Sequence, residues 1–298
     1  SAVKAVVQQM DSLLAQPLMQ STYFSPAERD DDESFKRAWT QVVNTKIEPA
    51  LLRYRDFLRD EYLPKARTAP GIGANPDGAL CYRVMLKANT SLDVDAKELY
   101  ERAIARVEQE TAAALEAGRR HYGRAFSDLN ALATAMKADP KEKFTDSEDV
   151  ARFITATIEH ARTTAGRVIA DPPLGHLELK AFPAETSATS PGGTYVPADD
   201  ESGRAPIYYY RADHVNLTPA RLEAVVLHET WPGHHLQEQI VRARVKRGAH
   251  ALSRMVYLPG ISEGWATYVE ALARDLRLYQ SDLGIVGTVM DSLTPALV

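Results

Sequence analysis

Three histidines and one glutamate fall between residues 228 and 235, in the stretch LHETWPGHHLQ at 227–237. Imidazole and carboxylate groups suit zinc, which needs three protein ligands and one open position to hydrolyse a bond. Two histidines four residues apart share a helix face, and a glutamate after the first can hold the attacking water. His228 and Glu229 supply the first half of that pattern, but four residues on stands Pro232. His235 would lie about 10.5 Å along a regular helix, too far for one ion with bonds of about 2.1 Å. His234 would point to another face of a regular helix. Pro232, however, has no amide for the carbonyl of His228 and its ring clashes there, while Gly233 permits unusual dihedrals. The helix is therefore expected to open at 230–233. An opening that absorbs two extra residues brings His234 to the ligand position; one that absorbs about a turn brings His235 instead. Trp231 is expected to pack at the opening.

A third donor is available in ISEGWATYVEAL, residues 261–272. Glu263 near the start of that helix is the expected third ligand. Glu270, seven residues on and on the same face, could orient a ligand histidine by hydrogen bonding to it. Glu229 is then the general base. A developing oxyanion needs a hydrogen-bond donor. Tyr208, Tyr209, Tyr210, His214, Tyr257 and Tyr268 are candidates, with Tyr268 and His214 favoured because they flank the motifs. The competing reading needs no metal: His234 and His235 bond nearby carbonyls at a helix start, and Glu263 is a helix-terminus carboxylate.

The elements that must position these residues are mostly helical. Val3, Val6, Val7, Met10, Leu13 and Leu14 recur at helical spacing, as do apolar residues over 34–62, where Pro49 should kink or divide the helix. Glycines and prolines make 64–80 a loop. Asp93 or Asp95 can cap a long helix to about Tyr122, and Ser147 another to Ile169. The acidic run at 28–33 reads as a solvated stretch beside a helix start. After Pro172 the pattern changes, with β-type runs at 193–196 and 206–211, the latter within APIYYYR. Thr218 and Pro219 then open the helix that carries the histidines, and RARVKR at 242–247 forms its charged last turns before Gly248. The fold expected is mainly α, with a small β element just before the motif helix.

Of the 298 residues, 45% are apolar and 25% charged, an ordinary globular composition. A net charge of −5 with no long basic block argues against a nucleic-acid partner. No run approaches the roughly 18 apolar residues that cross a bilayer. Cys81 is the only cysteine, which excludes an internal disulfide; it is expected to be a core thiol. The chain reads as one helical domain over 1–298, with a helical part at 1–171 and the β element and motif helices at 172–298. Its mostly apolar C-terminus suggests a piece of a longer protein.

HETWPGHHLQ followed by SEGWATYVE resembles the bacterial lipoprotein-like proteins, taken as zinc metallopeptidases, catalogued as domain of unknown function 885. SEGWATYVE is also similar to the Asn-Glu-Gly-Phe-Ala segment of zinc aminopeptidases, which implies a ligand role for Glu263. The layout resembles thimet-type oligopeptidases, in which an edge strand binds the peptide backbone; APIYYYR and GGTYV occupy the corresponding place. The resemblance implies a gluzincin-like, zinc-dependent hydrolase of short peptides. His228, His234 (or His235) and Glu263 would be its ligands, with substrate held along Tyr208, Tyr209 and Tyr210. It also implies a cell-envelope or secreted location. Two alternatives stay open: a helical scaffold that binds peptide without cutting it, and a zinc amidase or esterase.

Overall fold

The computed structural model describes residues 2–293 except 16, 22, 167–168, 170–174, 183–191 and 256. Helix accounts for 67% of the chain, beside one three-stranded sheet, so the protein is mainly α. Its contacts group into two units, 1–79 and 80–298.

In the first unit, helix α1 (Ala2–Leu14) has the apolar spacing of an amphipathic helix. Its Val7 and Met10 form a small core with Leu58. Leu58 lies in α2, a helix spanning 33–65 that opens on Asp32, whose carboxylate accepts from the amide of Ser34. Two π-type stretches, Val43–Ile47 and Phe57–Tyr62, interrupt its α-helical hydrogen bonding. Each stands just before a proline, Pro49 and Pro64. A widened turn carries the chain past a residue that cannot donate an amide. Pro49 thus changes the hydrogen-bond register while the backbone stays helical.

The second unit begins within α3 (Gly78–Thr90), a helix whose first residues fall in the stretch expected to be a loop. Leu80, Tyr82, Val84 and Met85 are all exposed on it, and so is Cys81. The expectation of a core thiol is corrected: the helix that carries Cys81 buries almost none of its side chains. Helix α4 (Ala96–Tyr122) is capped by Asp95, which accepts from the amides of Lys97 and Glu98. It ends on Gly123 in the left-handed conformation (φ 66°). Helix α5 (Leu129–Ala138) was unforeseen. Helix α6 (Ser147–Ala165) is capped by Asp146 rather than Ser147. Of its expected extension to Ile169, residues 167 and 168 lie outside the described set.

Strands β1 (Glu178–Ala181), β2 (Gly193–Val196) and β3 (Ile207–Tyr210) pair in the order β1-β3-β2. β1 runs parallel to β3 and β2 antiparallel to it. Tyr208 is fully buried, packed with Ile154 and Ile158 of α6 and with Leu222 and Val226 of the following helix. That helix, α7 (Pro219–Glu229), is capped by Thr218, with Pro219 at its first position. Then come α8 (His234–Lys246), α9 (Pro259–Asp275) and α10 (Leu283–Leu293).

Helix α10 holds the start of α7 from behind. Leu283, Val286 and Val289 pack with Ala220, Ala114, Ala117 and Leu132. The helices approach so closely that a side chain at Gly287 would meet the carbonyl of Ala220 at 2.0 Å. A second core of Ala161, Leu227, Trp231, Leu236, Ala273 and Leu278 ties α7, α8 and α9 together. The motif helices thus rest on apolar contacts on two sides, which fixes their side chains more rigidly than a loop could.

A buried carboxyl group gives this frame a pH dependence. Glu223 of α7 is 2% exposed and accepts the amide of Gln280 at 2.9 Å. Burial pushes its pKa up to about 7, with buried Glu142 adding to the rise and the Gln280 amide opposing it. The folded chain therefore keeps a proton that the unfolded chain releases above about pH 4.5. Stability from this group is complete below that pH and is lost as pH climbs through about 7. Glu223→Gln keeps an acceptor for Gln280 and removes the titration. Relative to the native chain, the variant should gain on the order of 1–3 kcal/mol between pH 5 and pH 8. Thermal melts at the two pH values read it. A difference that stays constant across that range would show that Glu223 is ionised in the fold.

Candidate metal centre

Helix α7 ends at Glu229 and α8 begins at His234, so the chain opens at 230–233, as Pro232 and Gly233 imply. Two backbone bonds define the opening. The amide of Gly233 donates to Leu227 O at 3.1 Å, and that of Leu236 to Thr230 O at 3.3 Å. Each spans six residues instead of the four of an α-helix, so two residues have been inserted. Gly233 is required there, because a Cβ would lie 1.8 Å from the carbonyl oxygen of His228. Trp231 is buried under the turn, and Trp265 of α9 donates its indole N–H to Pro232 O at 3.0 Å.

Two inserted residues bring His234, not His235, beside His228. Donor atoms of His228, His234 and Glu263 lie within 4.8 Å of one another. Glu263 Oε2 is 3.5 Å from His228 Nε2 and 3.4 Å from His234 Nε2. The other ring nitrogens are engaged elsewhere: His228 Nδ1 with Glu270 Oε1 at 2.7 Å, and His234 Nδ1 with Gln237 Oε1 at 3.4 Å. Both Nε2 atoms are thereby aimed at the carboxylate. The free oxygen of that carboxylate, Oε1, accepts the Tyr257 hydroxyl at 2.5 Å.

His235 faces the interior. It is fully buried, with Nδ1 at 3.4 Å from the Tyr195 hydroxyl and Nε2 at 3.5 Å from Gly175 O. Its ring meets Tyr195 and Trp231 edge-on. Burial lowers its pKa to about 4, so it is neutral.

Glu229 stands next to the donors. Its Oε2 accepts the backbone N–H of Tyr195 in β2 at 2.8 Å. Burial raises its pKa above the ordinary glutamate value, partly offset by His228 and by that N–H. Burial works against a charge on His228, but Glu270 and the neighbouring carboxylates outweigh it and raise its pKa. For Glu263, burial is outweighed by the Tyr257 hydroxyl and both histidines, and its pKa is lowered.

Glu229, His234, Glu263 and Tyr257 all border a cleft of about 660 Å³ that is also lined by Tyr195, Pro197 and Val241. The remaining expected site residues lie elsewhere. Among the described residues that line the cleft there is no Tyr208, Tyr209, Tyr210, Tyr268 or His214. Tyr208 is in the core, Tyr209 stacks on Phe182, and Tyr268 is exposed beside Trp265. His214 sits in a helical turn (His214–Asn216) ahead of α7. The expectation that 206–211 offers a free edge is corrected by the sheet order: β3 is central, and both its edges are paired. The strand that borders the cleft is β2. Tyr257, set below Tyr268 and His214 on sequence position, is the oxyanion-donor candidate that reaches the cleft.

Fold and site together define a mainly α protein with two histidines and a glutamate arranged as a candidate metal centre. The chain belongs to the bacterial protein family of unknown function DUF885, whose family model matches residues 1–296. Among solved structures it is similar to "the putative lipoprotein from Colwellia psychrerythraea". That likeness has a TM-score of 0.83 and 20% identity, over 98% of this chain and 52% of the other. It is also similar to "a putative lipoprotein of unknown function from Shewanella oneidensis", with a TM-score of 0.56 and 13% identity, over 98% and 54%. At these identities the likeness concerns the fold, and the chain spans about half the length of either protein. No curated protein matches it. No helix among the described residues is long and apolar enough to cross a membrane.

Proposed function

We propose that this chain carries the catalytic centre of a zinc-dependent peptidase acting on short peptides. The spacing of the three donors carries the reading. Tetrahedral zinc with bonds of about 2.0–2.1 Å sets its ligand atoms about 3.3 Å apart. The carboxylate oxygen of Glu263 lies 3.4 and 3.5 Å from the two imidazole nitrogens. The donor set itself, two imidazoles and one carboxylate, is that of hydrolytic zinc sites, and the hydrogen bond from His228 Nδ1 to Glu270 is the kind of support such ligands need.

His228, His234 and Glu263 would hold the zinc, which would supply Lewis-acid activation of a water and of the carbonyl to be attacked. The protein's own groups do the rest. Glu229 takes a proton from the attacking water and passes it to the leaving amine nitrogen. The Tyr195 N–H fixes one oxygen of its carboxylate and leaves the other for the proton. The Tyr257 hydroxyl donates to Glu263 Oε1 and holds that carboxylate in place; it would have to leave Glu263 to donate to an oxyanion in the cleft. β2 is the edge strand at the cleft, where an extended peptide can align by main-chain hydrogen bonding. The lipoprotein description of both solved relatives supports a cell-envelope location.

The test is elemental analysis of the purified chain beside His228→Ala and Glu263→Ala, with a mixed peptide pool as substrate. About one zinc per chain is expected, lost in both variants together with cleavage. No metal after zinc is added back would overturn the proposal. Bound metal without cleavage of any peptide would leave a peptide-binding scaffold instead.

A further inference from the structure

The cleft beside the donor cluster is lined unevenly, and that unevenness bears on what it can hold. From His234, helix α8 turns Gln237, Glu238 and Val241 toward the cleft. Val241 lies seven residues on, about 10.5 Å along the helix axis. Pro197, just beyond β2, faces the cleft from one side, and Leu258 and Ile261, at the start of α9, from another. Ile261 is 58% exposed and Tyr257 64%. Large apolar side chains left open around a concave site beside chemically competent groups are what a ligand's apolar part covers.

The polar groups argue against the other side-chain classes. An acidic side chain would meet Glu229, Glu238 and Glu263, all on the cleft wall. A basic one would find the same carboxylates already engaged: Glu238 with Arg242 at 3.7 Å, Glu229 with the Tyr195 N–H, and Glu263 with the Tyr257 hydroxyl and both histidines. A cation there would compete with a partner that the fold supplies.

Resting on the peptidase reading above, we infer that this cleft selects its substrates by a bulky apolar side chain next to the bond to be cut. Substrates are then short peptides with an aliphatic or aromatic residue at that position, of leucine or phenylalanine size. The cleft volume, about 660 Å³, holds such a side chain together with the main chain on either side of it. Full burial of one such group changes affinity by about ten- to a hundredfold.

The experiment uses the 298-residue chain carrying Glu229→Gln and loaded with zinc, so that peptides bind without turnover. Five glycine-based pentapeptides differing only at the central residue, as Leu, Phe, Gly, Asp or Lys, are titrated by calorimetry. The Leu and Phe peptides are expected to bind at least about tenfold tighter than the Gly, Asp and Lys peptides. Ile261→Ser, at an exposed position that folding tolerates, should shrink that preference, and Val241→Asp should abolish it. Equal or undetectable binding across the five peptides, or a preference untouched by both substitutions, overturns the inference. The parent chain is assayed for cleavage of the same peptides. Selective binding without cleavage would sink the peptidase reading and leave the selectivity of the cleft standing.

Discussion

Glu229→Gln should leave about one zinc per chain and lower peptide hydrolysis by about 10²–10⁴-fold, the range over which a positioned general base contributes. The substitution separates chemistry from architecture. Glutamine has the same shape and keeps a side-chain oxygen to accept the Tyr195 N–H, so β2 stays tied to the end of α7. Glu229 is not among the three clustered donors, so metal content should not change. What the amide cannot do is take a proton. The readout is paired: zinc by elemental analysis and kcat/KM on one peptide, in the same preparation. Activity within a few-fold of the parent would remove Glu229 from the mechanism. Loss of zinc together with activity would mean that the carboxylate binds the ion, and the ligand set would have to be redrawn.

The parts of this site that could be read from sequence are those fixed by local chemistry. Pro232 forbids the regular helix and Gly233 permits the tight turn, so the opening at 230–233 follows from two adjacent residues. Glu263 and Glu270 are also legible. Seven residues turn a helix through nearly two full turns, which puts both carboxylates on one face, toward His234 and His228 respectively. Tyr268 fails the same arithmetic. Five residues from Glu263 it is rotated about 140° at 100° per residue, away from the cleft, although it is close in sequence. Proximity along the chain was the wrong guide, and helical angle would have been a better one. Tyr257 reaches Glu263 from outside the helix, where no periodicity applies.

Other features depend on long-range pairing. The Tyr195 N–H meets Glu229 across 34 residues of sequence, and only the sheet order makes β2 an edge strand and β3 the centre. APIYYYR has the composition of a strand, but composition does not distinguish an edge from a core position. Tyr208, with 0% exposure, is a core residue because its face of the sheet packs against α6 and α7. Cys81 reverses that error. Its expected place is the core, but α3 leaves it and its apolar neighbours exposed.

The two adjacent histidines should separate cleanly by mutation. His234→Ala should weaken zinc binding more than about 100-fold, since loss even of a group that only orients a ligand costs 10–100-fold. His235→Ala should keep about one zinc per chain and lose about 2 kcal/mol or more of stability. The difference comes from the six-residue bonds across the turn, which place the Nε2 of His234 at 3.4 Å from Glu263. They turn the next residue inward between Tyr195 and Trp231. His235 is fully buried, neutral and in weak polar contact at 3.4 and 3.5 Å, so its ring acts mainly by filling space. His235→Phe, which keeps a ring there, should therefore recover much of the stability lost in the alanine variant while binding zinc as the parent does. Zinc affinity from a chelator competition and melting temperature on metal-free protein report the two effects separately. An opening that absorbed a full turn would produce the opposite pair: zinc retained by His234→Ala, and zinc lost in both His235 variants while they remain folded. That outcome would exclude the turn geometry on which the metal centre rests.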